Sequence, residues 1–215
     1  MVDIYYSRDG ANSFFAINEN REAVLIDPSF SEHGGLFDHI EKLNVKIVAI
    51  LITHGHWDHI ASLKRIGELY PEARVYISEI ESDFLTDVNL NLSKAANEEG
   101  YGVEILDYLP NNLIKVNDGD DIEEAGFKFK VILTPFHTKG SVCYLLESEK
   151  ALFSGDTLFF STVGRTDLPT GNARLMESSL RKLKILPDGL KVYPGHGACT
   201  SLDREKKYNS YLKNI

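Results

Sequence analysis

The apolar run Val48-Ala49-Ile50-Leu51-Ile52 ends directly on Thr53-His54-Gly55-His56-Trp57-Asp58-His59, which places three imidazoles and one carboxylate within seven positions. A strand sends alternate side chains to opposite faces, so a cluster this dense belongs where a strand has just ended and the chain turns. There His54 and His56 can point together while Asp58 and His59 reach a second point a few ångströms away. A packed core has no use for so much ligating capacity. A metal ion that activates water does, so the chain must fold with this strand end opening into a cleft.

With 215 residues and 43% hydrophobic content the chain can bury a sizeable core, and a single domain over 1–215 is expected. A net charge of −9 argues against a protein that works by neutralising phosphates, so nucleic acid is not an expected partner. Cys143 and Cys199 are far apart and form no CxxC pair, which fits a reducing compartment. The start Met1 to Arg8 lacks the basic and apolar stretches of a secretory signal, and no apolar run approaches the ~20 residues needed to span a bilayer. We therefore expect a cytoplasmic protein with no membrane partner; oligomeric state is not readable.

Short apolar stretches at Ile4–Ser7, Ser13–Ile17 and Ala23–Pro28 predict an opening meander, Gly35–Leu43 a helix, and Val45–Ile52 a further strand. Ile60, Leu63, Ile66 and Leu69 fall at helical spacing and stop near Pro71. Ala73–Ile77 reads as a strand, Glu79–Glu99 as helix or helix plus loop. Leu113–Val116, Phe127–Leu133, Ser141–Glu147 and Ala151–Ser154 are β-like and separated by turn residues. A helix over Asn172–Leu183, a strand at Lys191–Tyr193 and a charged helix over Asp203–Leu212 complete the chain. Strands followed by helices recur on either side of about residue 120. The fold class expected is α/β: a four-layer αβ/βα sandwich of two mixed sheets with helices outside.

Three more ligand-type residues follow apolar strands: His137, Asp156 and His196. Five of the seven histidines then lie at strand ends, and His33 and His39 are left over as surface or helix-face residues. Three protein ligands and an open position are the usual holding of a catalytic zinc. His54, His56 and His137 make one such set, Asp58, His59 and His196 another, and Asp156 can bridge two metals ~3.5–4 Å apart. Two divalent metal ions are expected; histidine and carboxylate suit zinc, and iron or manganese alike. Such a pair ionises water near neutral pH for attack on a polarised carbonyl.

His54-Gly55-His56-Trp57-Asp58-His59 resembles the HxHxDH signature of the metallo-β-lactamase-fold superfamily, and His137, Asp156 and His196 match its later ligand motifs in order. Within it, His137-Thr138-Lys139-Gly140-Ser141, Ser154-Gly155-Asp156-Thr157-Leu158-Phe159, Gly164-Arg165-Thr166-Asp167-Leu168-Pro169 and Pro194-Gly195-His196-Gly197 are similar to the glyoxalase II group, the hydroxyacylglutathione hydrolases. The resemblance implies a thioesterase acting on S-acylglutathione or a related small thioester. The β-lactamases of the fold commonly carry cysteine where Asp156 stands, which disfavours antibiotic hydrolysis. Larger glyoxalase II enzymes add a C-terminal helical domain; this sequence ends at Ile215 and is closer to the short bacterial form. Lys139 replaces the proline of that group's HTPG motif.

Asp58 is read as ligand first and proton carrier second. The candidate substrate contacts are Arg165, Tyr144 and Lys139. Arg165 could clamp a substrate carboxylate or simply pair with Asp167, and Tyr144 could donate to substrate or sit buried in a sheet. Asp27 is a turn residue or the outer partner of a ligand histidine. Thr53 and Thr138 tie loops down, while Cys143 and Trp57 pack. An iron-dependent persulfide dioxygenase of the same fold is the alternative reading, with His54, His137 and Asp156 holding one iron; a non-catalytic module is a third.

Overall fold

The computed structural model describes residues 1–31, 34–107 and 109–215, and over them the chain builds two six-stranded sheets. The first contains β1 (Val2–Tyr5), β2 (Ser13–Ile17), β3 (Glu22–Ile26), β4 (Lys46–Leu51), β5 (Arg74–Ser78) and β6 (Leu113–Val116), side by side in chain order. β1, β2 and β3 pair antiparallel, then β3 to β6 run parallel. The second sheet holds β7 (Asp121–Glu124), β8 (Phe127–Leu133), β9 (Val142–Leu146) and β10 (Ala151–Gly155) as an antiparallel meander. A small hairpin, β11 (Leu158–Phe159) with β12 (Thr162–Val163), follows; then β13 (Lys191–Pro194) joins β10 in parallel and β14 (Thr200–Ser201) closes the edge.

Alternation along each strand explains the layering. Phe14, Ala16, Val24, Ile26, Ala49 and Leu51 of the first sheet meet Phe129, Val131, Tyr144, Leu146 and Phe153 of the second in a shared interior. The intervening residues Phe15, Ile17, Ala23, Leu25 and Ile50 face outward onto α1 (Gly35–Leu43), α2 (Trp57–Ile60) and α3 (Leu63–Leu69). On the far side Cys143, Leu145, Leu152 and Val192 pack against α5 (Met176–Lys184), α6 (Leu202–Tyr208) and α7 (Ser210–Lys213). Both faces of both sheets are thus covered, which is why the strands read as continuous apolar runs. The architecture is the α/β sandwich of two mixed sheets with helices outside that the pattern implied, and Cys143 and Trp57 pack as expected. No helix among the described residues is long and apolar enough to cross a membrane.

Departures from the sequence pattern have local causes. The first strand starts earlier than Ile4, because Val2 pairs with Ala16. The helix after the histidine run is two pieces, and Glu79–Glu99 becomes a 3-10 turn (Glu79–Leu85) and α4 (Ser93–Glu98). β7 was invisible in sequence because its inward residues are Ile122 and a glutamate: Glu124 is buried against the Arg74 guanidinium and the Tyr76 hydroxyl. The last helix breaks at Asn209, whose carboxamide accepts from the Tyr211 N–H at 3.0 Å and so starts α7.

The two sheets meet at the ends of β4 and β9. Val142 donates its N–H to the Thr53 carbonyl at 2.9 Å, and the Tyr144 hydroxyl donates to the Ile52 carbonyl at 2.8 Å. That corrects the expectation for Tyr144 as a substrate contact: the side chain is wholly buried in the shared interior and its one hydroxyl proton is committed to Ile52. Tyr144→Phe should therefore lower stability by about 1–2 kcal/mol in urea unfolding, the cost of a buried carbonyl left without its donor, with metal content unchanged.

Candidate metal centre

The seven ligand candidates lie at one edge of the sandwich, beyond the ends of β4, β8, β10 and β13. His54 and His56 occupy the turn after β4, Asp58 and His59 the short α2, and His137, Asp156 and His196 the segments after the other three strands. His56 Nδ1 lies 3.1 Å from His54 Nε2 and 3.0 Å from His137 Nε2. On the other side, His196 Nε2 is 3.0 Å from Asp58 Oδ2, which is 3.8 Å from His59 Nε2. Asp156 stands between: Oδ2 is 3.4 Å from His137 Nε2 and 3.6 Å from His196 Nε2, while Oδ1 is 3.4 Å from His59 Nε2. The two triads fall into the two sets read from the sequence, and His54, His59 and Asp156 form a third grouping that joins them.

Outer partners aim these rings. His59 Nδ1 lies 2.9 Å from Asp27 Oδ2, which also accepts from the Thr53 hydroxyl at 2.7 Å, while Asp27 Oδ1 accepts from the Thr53 N–H. Asp27 adopts φ 52 directly before Pro28, a conformation an aspartate rarely takes in that position and that stores strain of roughly 1–3 kcal/mol. It is therefore the outer partner of a ligand histidine as well as a turn residue. His54 Nδ1 is 3.2 Å from the Thr53 hydroxyl and His137 Nδ1 is 2.8 Å from the Arg165 carbonyl. In His54, His59 and His137 the tied nitrogen is Nδ1, so Nε2 is left facing the centre.

The electrostatics of the halves differ. Burial, reinforced by the surrounding imidazoles, holds His54 well below the usual histidine range, and burial beside His137 takes His56 down to about 3. These rings are neutral and present lone pairs. Burial opposes charge on His59 and His196 too, but the carboxylates win: Asp58, Asp27 and Asp156 raise His59 well above its ordinary value, and a hydrogen bond to Asp58 helps raise His196. Asp156 is pushed far down, its burial outweighed by His59, His196 and His137. The carboxylates thus favour positive charge on this side of the centre, at His59 most of all.

The donor set fits metal ions. His59 Nε2 and Asp156 Oδ1, both facing the centre, are buried without a hydrogen-bond partner among the described residues, a costly state for polar atoms in a core. A tetrahedral zinc with bonds of ~2.0–2.1 Å needs its ligand atoms roughly 3.4 Å apart, only a few tenths more than the spacing of the first triad. Gly195 makes the close packing possible: a Cβ there would strike Asp156 Oδ1 and, at 2.7 Å, His59 Cε1.

Among the other expected residues, Arg165 is exposed and paired with Asp167 at 2.6 Å, a surface pair worth little to stability; its backbone carbonyl is what touches the centre. Lys139 is half exposed, 2.8 Å from Asp83 and above the Phe84 ring. Thr138 bonds the Ser141 hydroxyl within its own loop. His39 sits on α1 with Asp3 at 2.7 Å, and His33 lies outside the described residues. Sequence reasoning missed Glu81, which is fully buried and accepts from the Gly55 N–H at 3.1 Å and the Gly140 N–H at 2.7 Å. No composition signal separates it from the exposed acids around it. A hollow of about 500 Å³ elsewhere, lined by Asp121, Lys128 and Lys130, holds no ligand candidate, and its lysines are already paired with Asp121.

Residues 7–196 match the family model described as metallo-beta-lactamase superfamily. The chain belongs to that superfamily. A probable metallo-hydrolase of Streptococcus pyogenes is 34% identical over 94% of this chain and 86% of its own length. Hydroxyacylglutathione hydrolase GloC of Haemophilus influenzae is 30% identical over 92% and 90%. The solved structure of BLEG-1 B3 metallo-beta-lactamase superposes with a TM-score of 0.88 at 29% identity, covering all of both chains. Membership makes the chain a metal-dependent hydrolase of this superfamily, with residues suited to hold the metal.

Replacing Asp27 by Asn should release the His59 ring from its anchor. Metal analysis after dialysis against a chelator is expected to show ~10–100-fold weaker retention, the usual cost of losing an outer partner.

Proposed function

We propose that the chain is a dinuclear metal hydrolase that cleaves a thioester, an S-acyl derivative of glutathione or of another small thiol. The observation that carries this reading is Asp156, whose two oxygens stand between the His54/His56/His137 and Asp58/His59/His196 sets. The likeness to hydroxyacylglutathione hydrolase GloC along almost the whole chain supports the thioester. When bound, two divalent metals, zinc on this reading, supply water ionised near neutral pH and positive charge at the carbonyl oxygen. The reaction adds water across the acyl–sulfur bond: a C–O bond forms, the C–S bond breaks, and acid and thiol leave. A thiolate departs readily, so no dedicated general acid is needed.

The chain's own groups then have distinct tasks. His54 and His56 supply neutral nitrogens and His137 a third nitrogen beside them, and Asp58, Asp156, His59 and His196 complete the set. Asp58 Oδ2 and His196 Nε2 form the pair nearest solvent, His196 being 41% exposed. Asp58, ligand first, can take up a proton second. Lys139 and Arg165, both reaching solvent on loops that carry or touch His137, would attract the carboxylates of a peptide-like thiol.

The full-length likeness to BLEG-1 brings in β-lactam cleavage as a further reading, which Asp156, standing where β-lactamases of the fold commonly carry cysteine, speaks against. A panel of S-acylglutathione, another small thioester and a β-lactam, run on protein of measured metal content, separates the two. We expect two metals per chain and thioester turnover; fewer than two with no thioester hydrolysis sinks the proposal. Oxygen uptake with glutathione persulfide and no hydrolysis would install the iron oxygenase instead. Asp156→Ala should abolish turnover and lower metal content, whereas His39→Ala should change neither.

A further inference from the structure

Both loops that supply the nitrogen-rich half of the centre rest on one turn, Glu79–Leu85. Gly55 lies between His54 and His56, and Gly140 three residues after His137. Each donates its N–H to a different oxygen of the same carboxylate, Gly55 to Glu81 Oε2 and Gly140 to Glu81 Oε1. Neither glycine could carry a side chain: a Cβ on Gly55 would strike the Phe84 Cβ, and one on Gly140 would lie 2.7 Å from Glu81 Cγ and 2.9 Å from Ile80 Cβ. Two loops from different sheets are thus pressed against a single turn and joined through one buried side chain. On the other flank of His54, Thr53 is held by Val142 and Asp27. His54 is thereby fixed from both sides.

We propose that Glu81 is a positioning residue: by accepting both N–H groups it sets the spacing between the His54/His56 turn and His137, and so the affinity of the metal position those three imidazoles form. This rests on the reading of His54, His56 and His137 as ligands. The chemistry requires a carboxylate. Glutamate offers two acceptor oxygens and no donor, whereas glutamine offers one oxygen and would set its NH2 against the second backbone N–H. Burial pushes the Glu81 acid up, and the N–H groups of Gly140 and Gly55 pull the other way. Lys139 leaves this carboxylate to the loops, since its ammonium is paired with Asp83. The contact at stake is the 3.0 Å approach of His56 Nδ1 to His137 Nε2, the one that spans the two loops.

The test is zinc titration of the full, chelator-stripped chain against a chromophoric competitor, with folding checked by circular dichroism. Glu81→Gln and Gly140→Ala are expected to weaken one of two zinc positions ~10–100-fold and leave the other as in the wild type. The exposed Glu79→Gln should bind like the wild type. Combined with His196→Ala, Glu81→Gln should weaken the remaining position by the same factor; combined with His137→Ala, it should have no further effect. Unchanged affinity at both positions, or equal loss at both, overturns the proposal. If Glu81→Gln does not fold, Gly140→Ala is read by the same criteria. A wild-type chain that binds no zinc overturns the ligand reading itself.

Discussion

The site depends on two strand ends from different sheets being held together. Thr53 closes β4 and accepts from Val142 at the start of β9, while its N–H and hydroxyl both bind Asp27. Everything that could ligate a metal is within a few residues of that seam or of the parallel ends of β10 and β13. His54 and His56 leave the first sheet, His137 and Asp156 the second, and they meet because the sheets do. A buried seam that ties backbone groups both to each other and to the Asp27 and Tyr144 side chains restrains the loops beyond it, which is what a constellation needed to within a fraction of an ångström requires.

Concentrating so many ionisable side chains at a buried edge is electrostatically expensive, and the arrangement answers that cost in two ways. In the first triad burial keeps His54 and His56 neutral, so lone pairs crowd together at its centre. The second mixes carboxylates with imidazoles whose hold on a proton those carboxylates strengthen. Metal ions would answer both situations, giving the lone pairs a common acceptor and the carboxylates a cation. Asp27, Thr53, the Arg165 carbonyl and Glu81 act one layer out, turning rings or holding loops. A strained Asp27 backbone is consistent with that task.

Much of this was legible in the residues. The run from His54 to His59 pointed to a ligand cluster at a strand end, and the structure brings His137, Asp156 and His196, each after its own strand, to the same place. Apolar runs with no polar alternation implied sheets covered on both faces. What stayed hidden depended on contacts distant in sequence. Glu124 conceals β7 because a buried glutamate looks like a solvated one until Arg74 and Tyr76 are seen against it. Tyr144 could have faced substrate or core, since its position on β9 does not say which carbonyl its hydroxyl will find.

By itself the sequence determined which atoms can bind metal and in which order the strands deliver them, because side-chain chemistry and local periodicity are properties of short segments. Only the tertiary structure decided how closely the two candidate sets stand around Asp156, that Asp27 anchors the His59 ring, and that Glu81 joins two of the loops. The reason is that register between sheets, and the burial of a charge, arise from groups brought together across the whole chain. A hydrogen bond such as Gly140 to Glu81 has no trace in either segment alone.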